Sequence, residues 1–197
     1  MNECKRILHV LHSVNCGGTE TLLMNIYRRI NRSEYQFDFL VNRFDAMHYE
    51  KEIEALGGKI FRMKFLTQVS PAVYARRLKR FFYQHPEYRV VHSHLETTTG
   101  LILRAAETAG VPVRIAHSHH TRYPRTGVAA WPENAYKEYC KTLIVPHATH
   151  LFACSSAAAT WLFGDADKRA TIIKNGTDTQ RFAFRPELRR EVRKDLG

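Results

Sequence analysis

Residues 6–12, Arg6-Ile7-Leu8-His9-Val10-Leu11-His12, read as a strand that drops into Ser13-Val14-Asn15-Cys16-Gly17-Gly18-Thr19-Glu20. Beyond that loop Leu22, Leu23, Ile26, Tyr27 and Ile30 recur at helical spacing. A strand, a glycine-pivoted turn and a helix start in this order commit the chain to α/β construction. Two adjacent glycines let the backbone approach a ligand closely, and the amides at the helix start favour a phosphate or carboxylate. The loop is neither G-x-G-x-x-G nor G-x-x-x-x-G-K-[ST], so on its own it reads equally as a ligand site and as a plain turn.

The alternation continues along the chain. Strand patterns fall at 36–41, 59–63, 89–94, 112–117, 150–154 and 170–174, and helical patterns at 49–56, 71–85, 97–109, near 134–143 and at 156–163. Strands separated by helix-length segments need crossover connections. The expected fold is therefore a mainly parallel sheet with helices on both faces, Rossmann-like in class. Ligands of such sheets lie at the carboxyl ends of the strands. That rule gives Ser13 to Thr19, His92, His94, His117 to His120, Ser155 and Asn175 one common edge.

A length of 197 residues fits one main domain, and the formal net charge of +11 points to anionic partners without naming them. Cys4, Cys16, Cys140 and Cys154 show no C-x-x-C spacing, which speaks against a disulfide framework or a zinc knuckle. No apolar run suits a bilayer span or a secretory signal, so a cytoplasmic location is expected. Within 71–85, Arg76, Arg77, Lys79 and Arg80 form a basic face that suits an anionic membrane, beside Phe81, Phe82 and Tyr83. A solvated helix face over core aromatics fits the same pattern equally well.

His92 and His94 lie two apart on a strand and share a face, as do His117 and His119. Zinc needs three or four ligands, and the carboxylate spacing of histidine-rich metal hydrolases is missing, so no metal is expected. Imidazoles instead suit hydrogen bonds to a ligand's hydroxyls, with neutral and protonated forms both accessible near neutral pH. Arg122, Tyr123, Arg125 and Trp131 in the following long loop suit the lip of a ligand site and equally suit anchoring the loop.

Four pieces together resemble the N-terminal half of the family 4 glycosyltransferases, retaining and metal-independent enzymes of GT-B architecture. Cys16-Gly17-Gly18-Thr19-Glu20 is similar to the family's G-G-x-E loop, Val90-Val91-His92-Ser93-His94 to its V-V-H-x-H strand, and Arg114 to His119 to the strand that follows. Asn175 to Phe182 resembles the N-G-[IVT]-D-x-x-x-F signature, and the 115–121 stretch is similar to enzymes of capsular and exopolysaccharide assembly. The resemblance implies an acceptor-side domain over 1–180, with 181–197 a linker or the start of a donor-binding domain that this chain lacks. It implies a UDP- or GDP-linked sugar as substrate, a glycan or lipid-linked acceptor, and no cofactor. Gly17, Gly18 and Thr19 would contact the donor phosphates, and Thr19 equally suits a helix cap. His119 and then His117 would meet the sugar at the reaction centre, and His92, His94, Arg122 and Asn175 would face the acceptor. The isolated half is expected to be inactive and, through its partner-facing surface, to self-associate. Two other readings stand beside this one: a histidine-rich metal-dependent hydrolase, and a non-enzymatic basic module binding nucleic acid. The second has the charge but no recognition helix or stacking motif, so no specific nucleic acid is expected.

Overall fold

The computed structural model describes residues 4–66, 68–122, 131–176, 179 and 182–197. Among these, seven strands make one sheet: β1 (Lys5–Leu11), β2 (Tyr35–Val41), β3 (Ile60–Arg62), β4 (Val90–Ser93), β5 (Val113–Ser118), β6 (His150–Ala153) and β7 (Thr171–Ile172). All are parallel, in the order β3-β2-β1-β4-β5-β6-β7. The chain starts at the centre, winds outward through β2 and β3, then crosses back to lay β4 on the other side of β1. The reversal between β1 and β4 is the switch point, where neighbouring loops diverge and leave a crevice.

Each face buries its own core. On one face Leu8, Val10, Val91 and Ala116 pack with Tyr74 and Leu78 of α3 (Pro71–Gln84), Leu103 of α4 (Thr99–Thr108) and Leu162 of α7 (Ser156–Phe163). On the other, Phe37 and Phe39 pack with Leu23 and Tyr27 of α1 (Gly18–Tyr27) and Ile53 of α2 (Glu50–Ala55). Helix starts follow local chemistry: the Ser70 and Ser155 hydroxyls accept from the amides of Val73 and Ala158, and Pro71 opens α3. Gly57 and Gly110, at φ of +90° and +82°, close α2 and α4 in the left-handed region.

The mainly parallel sheet with helices on both faces is as expected, with boundaries shifted by one to three residues at most ends. α5 (Trp131–Thr142) starts three residues before its predicted place, and α6 (Ile144–His147) follows it where no element was foreseen. Pro146 inside α6 hid that turn from a reading in which proline breaks helices. Residues Pro186–Leu196, read from the sequence as part of a linker or the start of a further domain, form α8, whose apolar Leu188, Val192 and Leu196 are exposed. On α3 the core reading of the aromatics holds for Phe81 and Phe82, which are buried under exposed Arg76, Arg77, Lys79 and Arg80. Tyr83 stays outside, where its hydroxyl donates to the Thr108 carbonyl at 3.1 Å. No helix among the described residues is long and apolar enough to cross a membrane.

Candidate functional site

A cleft of about 480 Å³ opens at the switch point. The loop after β1 gives one wall, with Gly17, Gly18, Thr19 and Glu20. The loop after β4 gives the other, with His94, Glu96, Thr97 and Thr98. His120 and Arg122, beyond β5, close the rim together with Glu133 and Lys137 of α5. The glycine loop and the histidine-bearing strand ends, 70 residues and more apart in sequence, thus share one cavity.

The glycine wall is backbone. Gly17 is the cap of α1 and has no side chain to cap with, so the reading of Thr19 as the cap is corrected: Thr19 lies inside the first turn and borders the cleft. The Gly17 amide donates to the Asn15 carbonyl at 2.9 Å. A helix start leaves its first amides without intrahelical partners, so the groups offered to a ligand are those from Gly18 onward. A side chain at Gly18 would meet nothing within 4 Å, so its absence serves the open cleft and not the packing of the protein. At Gly17 a Cβ would run into the Glu20 carboxylate, which folds back over the loop and accepts from the Ser13 hydroxyl at 3.1 Å.

The opposite wall is a bank of imidazoles. Register places His9 of β1 beside His92 of β4 on the face shared by His94, His117 and His119. His94 is the hub. Its Nε2 lies 3.2 Å from His9 Nδ1 and its Nδ1 lies 2.9 Å from His119 Nε2, while His92 Nε2 and His117 Nδ1 are 3.1 Å apart. Burial pushes His117 down to about 2, His92 to about 3 and His119 to about 4, and holds His9 and His94 well below the usual imidazole range; neighbouring imidazoles add to each shift. The expectation that these rings switch charge near neutral pH is therefore corrected. They are neutral donors and acceptors, because desolvation outweighs any partner. Three nitrogens, His9 Nε2, His117 Nε2 and His119 Nδ1, are buried without a hydrogen-bond partner.

On this second wall sits Glu96, two residues beyond His94. Its backbone takes φ of +47°, a region that non-glycine residues seldom enter, and this aims the carboxylate back toward β5. There Oε1 accepts from the His119 amide at 2.9 Å and Oε2 from the Ser118 hydroxyl at 3.4 Å. Burial pushes the Glu96 carboxyl up to about 7 against those hydrogen bonds, so both of its forms are populated near neutral pH.

Of the residues expected at the site, Gly17, Gly18, Thr19, His94 and Arg122 border the cleft. His92, His117 and His119 stand behind His94 in the imidazole bank. Asn175 is exposed and outside the lining, and neighbouring Gly176 borders Leu22, Ile26 and Ile30 on the outer side of α1. Tyr123, Arg125, Thr177, Asp178 and the Trp131 side chain lie outside the described residues. Sequence reasoning passed over His9 and Glu96. An imidazole inside an apolar strand was the available signal for the first, and for the second a carboxylate two residues past a strand end.

The cleft chemistry is mixed. Glu20, Glu96 and Glu133 face Arg122 and Lys137, while α3 carries Arg76, Arg77, Lys79 and Arg80 with no acid among them. Such a wall suits hydroxyl-rich ligands, with helix amides rather than a cation cluster left to meet a phosphate.

Comparison with known proteins adds an independent line. Residues 16–181 match the family model for Glycosyltransferase Family 4. The chain is 39% identical over 182 residues to EpsF of Bacillus subtilis (strain 168), named as a glycosyltransferase, covering 91% of this chain and 47% of that protein. It is 27% identical over 112 residues to CapH of Staphylococcus aureus, a capsular polysaccharide biosynthesis glycosyltransferase, covering 57% of this chain and 30% of that one. Among solved structures, HepE of Anabaena, crystallised with UDP and glucose, superposes with a TM-score of 0.67 at 18% identity over 97% of this chain and 50% of its own. A glycosyltransferase from Rickettsia africae gives 0.67 at 13% identity over 100% and 50%. These two likenesses bear on the fold, which is that of half a GT-B enzyme. The chain spans about half the length, or less, of the curated relatives it matches.

Proposed function

Since the chain belongs to glycosyltransferase family 4, we propose that it forms the acceptor-side wall of a sugar-transfer cleft in surface polysaccharide assembly. Family membership takes the place of the metal-hydrolase and nucleic-acid readings. The observation that carries the proposal is the meeting, at the switch point, of a side-chain-free helix start with a bank of neutral imidazoles and a carboxyl group.

In this reading a nucleotide-sugar, UDP- or GDP-linked, is held mainly by a second domain, and its diphosphate meets the amides from Gly18 onward. As the bond from anomeric carbon to phosphate oxygen breaks, negative charge grows on the phosphate, and preset amides stabilise it without reorganising. The acceptor hydroxyl attacks the anomeric carbon from the side that the phosphate leaves, with retention, and its proton passes to a departing phosphate oxygen. His94 presents the imidazole that reaches the cleft and packs its ring edge against the transferred sugar, its two nitrogens being held by His9 and His119. His119 and His117 act behind it by fixing ring orientation and tautomer, which moves the centre of the site from His119 to His94. Glu96 and Arg122 face hydroxyls of the glycan or lipid-linked acceptor. The basic face of α3 suits an anionic bilayer on which such an acceptor is carried, each cation near the surface being worth about 1 kcal/mol.

Nucleotide release tests the reading. A protein that joins this chain to a donor-binding domain is expected to release UDP or GDP from one nucleotide-sugar when given a matched glycan or lipid-linked acceptor, and to lose that activity with Gly18→Val. No release with any donor and acceptor pair, or full activity in Gly18→Val, overturns it.

A further inference from the structure

Two groups of three imidazoles, His9 with His92 and His94, and His94 with His117 and His119, each offer three ring nitrogens within 4.8 Å of one another. The sequence expectation of no metal rested on the missing carboxylate spacing, and each strand alone offers two histidines two apart. The parallel register of β4 and β5 supplies the third across the sheet.

The two groups differ in access and in what stands behind them. The first group shares His94 but takes His9 as a ligand, and His9 is buried against Phe37 and Phe39, with ring centroids 4.3 and 5.8 Å away, on the side remote from the cleft lining. In the second group His94 borders the cleft and His119 is partly exposed at the strand end, which gives both an entry path and room for a water as fourth ligand. Each of its two most buried members is backed by a further imidazole, His9 behind His94 and His92 behind His117. That arrangement fixes which nitrogen of a ligating ring stays protonated. His117 is 2% exposed, and its Nε2 has no partner, an uncompensated cost that a ligand removes.

We propose that His94, His117 and His119 bind one divalent transition cation of the zinc class. Three neutral nitrogens and no thiolate or carboxylate favour zinc, cobalt or nickel over magnesium or calcium, which select oxygen. The assignment does not rest on the transfer reading. Its consequence does: a cation on His94 takes that ring from the sugar, so occupancy and transfer exclude each other.

Cobalt titration of the whole chain tests this without donor or acceptor, in a Cys16→Ser background that removes the exposed thiol. One equivalent of Co²⁺ is expected to give the visible absorption of a four-coordinate nitrogen site, displaced by one equivalent of Zn²⁺. His117→Gln and His119→Gln are expected to abolish it, and His92→Gln to weaken it about 10- to 100-fold, as loss of a supporting partner does. Circular dichroism checks that each variant is folded; if the buried His117→Gln is not, the partly exposed His119→Gln carries the test. No saturable absorption, or one that survives His119→Gln, overturns the site, and so does one abolished by His92→Gln while His119→Gln retains it.

Discussion

Two buried polar clusters occupy opposite faces of the same sheet, and they are built on opposite terms. Asp38, fully buried, is saturated: the Arg6 guanidinium meets both of its oxygens at 2.5 Å, the Tyr88 hydroxyl donates at 2.7 Å and the Lys59 amide at 2.6 Å. Its partners carry the mark of that bond, with Arg6 and Tyr88 both pushed upward, the first chiefly by its hydrogen bond to Asp38 and the second chiefly by burial. The histidine bank holds five imidazoles and leaves three nitrogens without partners. A saturated cluster ties strands together. An unsaturated one at a cleft holds capacity for a ligand, because the missing hydrogen bonds are a cost the fold retains until something binds.

The largest effect should come from Asp38→Ala. It strands a guanidinium, a hydroxyl and an amide, and urea unfolding should show a loss of about 3–5 kcal/mol, as for other broken buried pairs. A loss below about 1 kcal/mol would break the contrast. His94→Ala should cost less stability, about 1–3 kcal/mol for the partners it leaves unpaired. Its main cost belongs to transfer, where kcat/KM in the complete enzyme should fall about 10- to 100-fold, because the ring that seats the sugar and orients His119 is lost. Unchanged kcat/KM would return the central role to His119.

The pH dependence sharpens the comparison within the cleft itself. The imidazoles are depressed in the fold, so their contribution is present above about 6.5, the value in the unfolded chain, and is lost as pH falls toward about 4 for His119 and about 3 for His92. Glu96 is raised, so its contribution is present below its unfolded value and is lost as pH rises through about 7. The two oppose each other between about pH 4.5 and 6.5. Glu96→Gln removes the opposing part, and its denaturation midpoint should climb more steeply with pH over that interval than the parent's; parallel curves would show that Glu96 is not held protonated. The smallest effect is expected at Gly18, where an added methyl meets no neighbour: Gly18→Ala should stay within about 0.5 kcal/mol of the parent in stability. Nucleotide-sugar binding in the complete enzyme should still weaken, and a variant that loses stability but keeps affinity would reverse that assignment.

Much of the fold was legible because its causes are local. Short apolar runs in β1 and β2, the Ser70-Pro71 helix start and the glycine stops after α2 and α4 each act within a few residues, and each element followed. The approximate position of the site was legible too, since strands joined by helices run parallel and end on one edge. What escaped depended on long-range order. His9 joins the site because β1 lies beside β4, a neighbour 79 residues away with nothing nearby to announce it. Glu96 joins it because one backbone torsion in the left-handed region turns its side chain toward β5. Asn175 failed to reach the cleft because the chain past β7 passes beside α1 instead.

The sequence by itself determined the periodicities, the turns and therefore a parallel sheet with a glycine-started helix at one edge, since those depend on sterics and hydrogen bonds between near neighbours. The tertiary structure alone decided which ring meets which, and how each one titrates. Hydrogen bonds between imidazoles require register across strands, and a shift in pKa requires the removal of water by distant parts of the chain. His94 is thus an ordinary histidine in the sequence and the hub of a buried, neutral array in the fold.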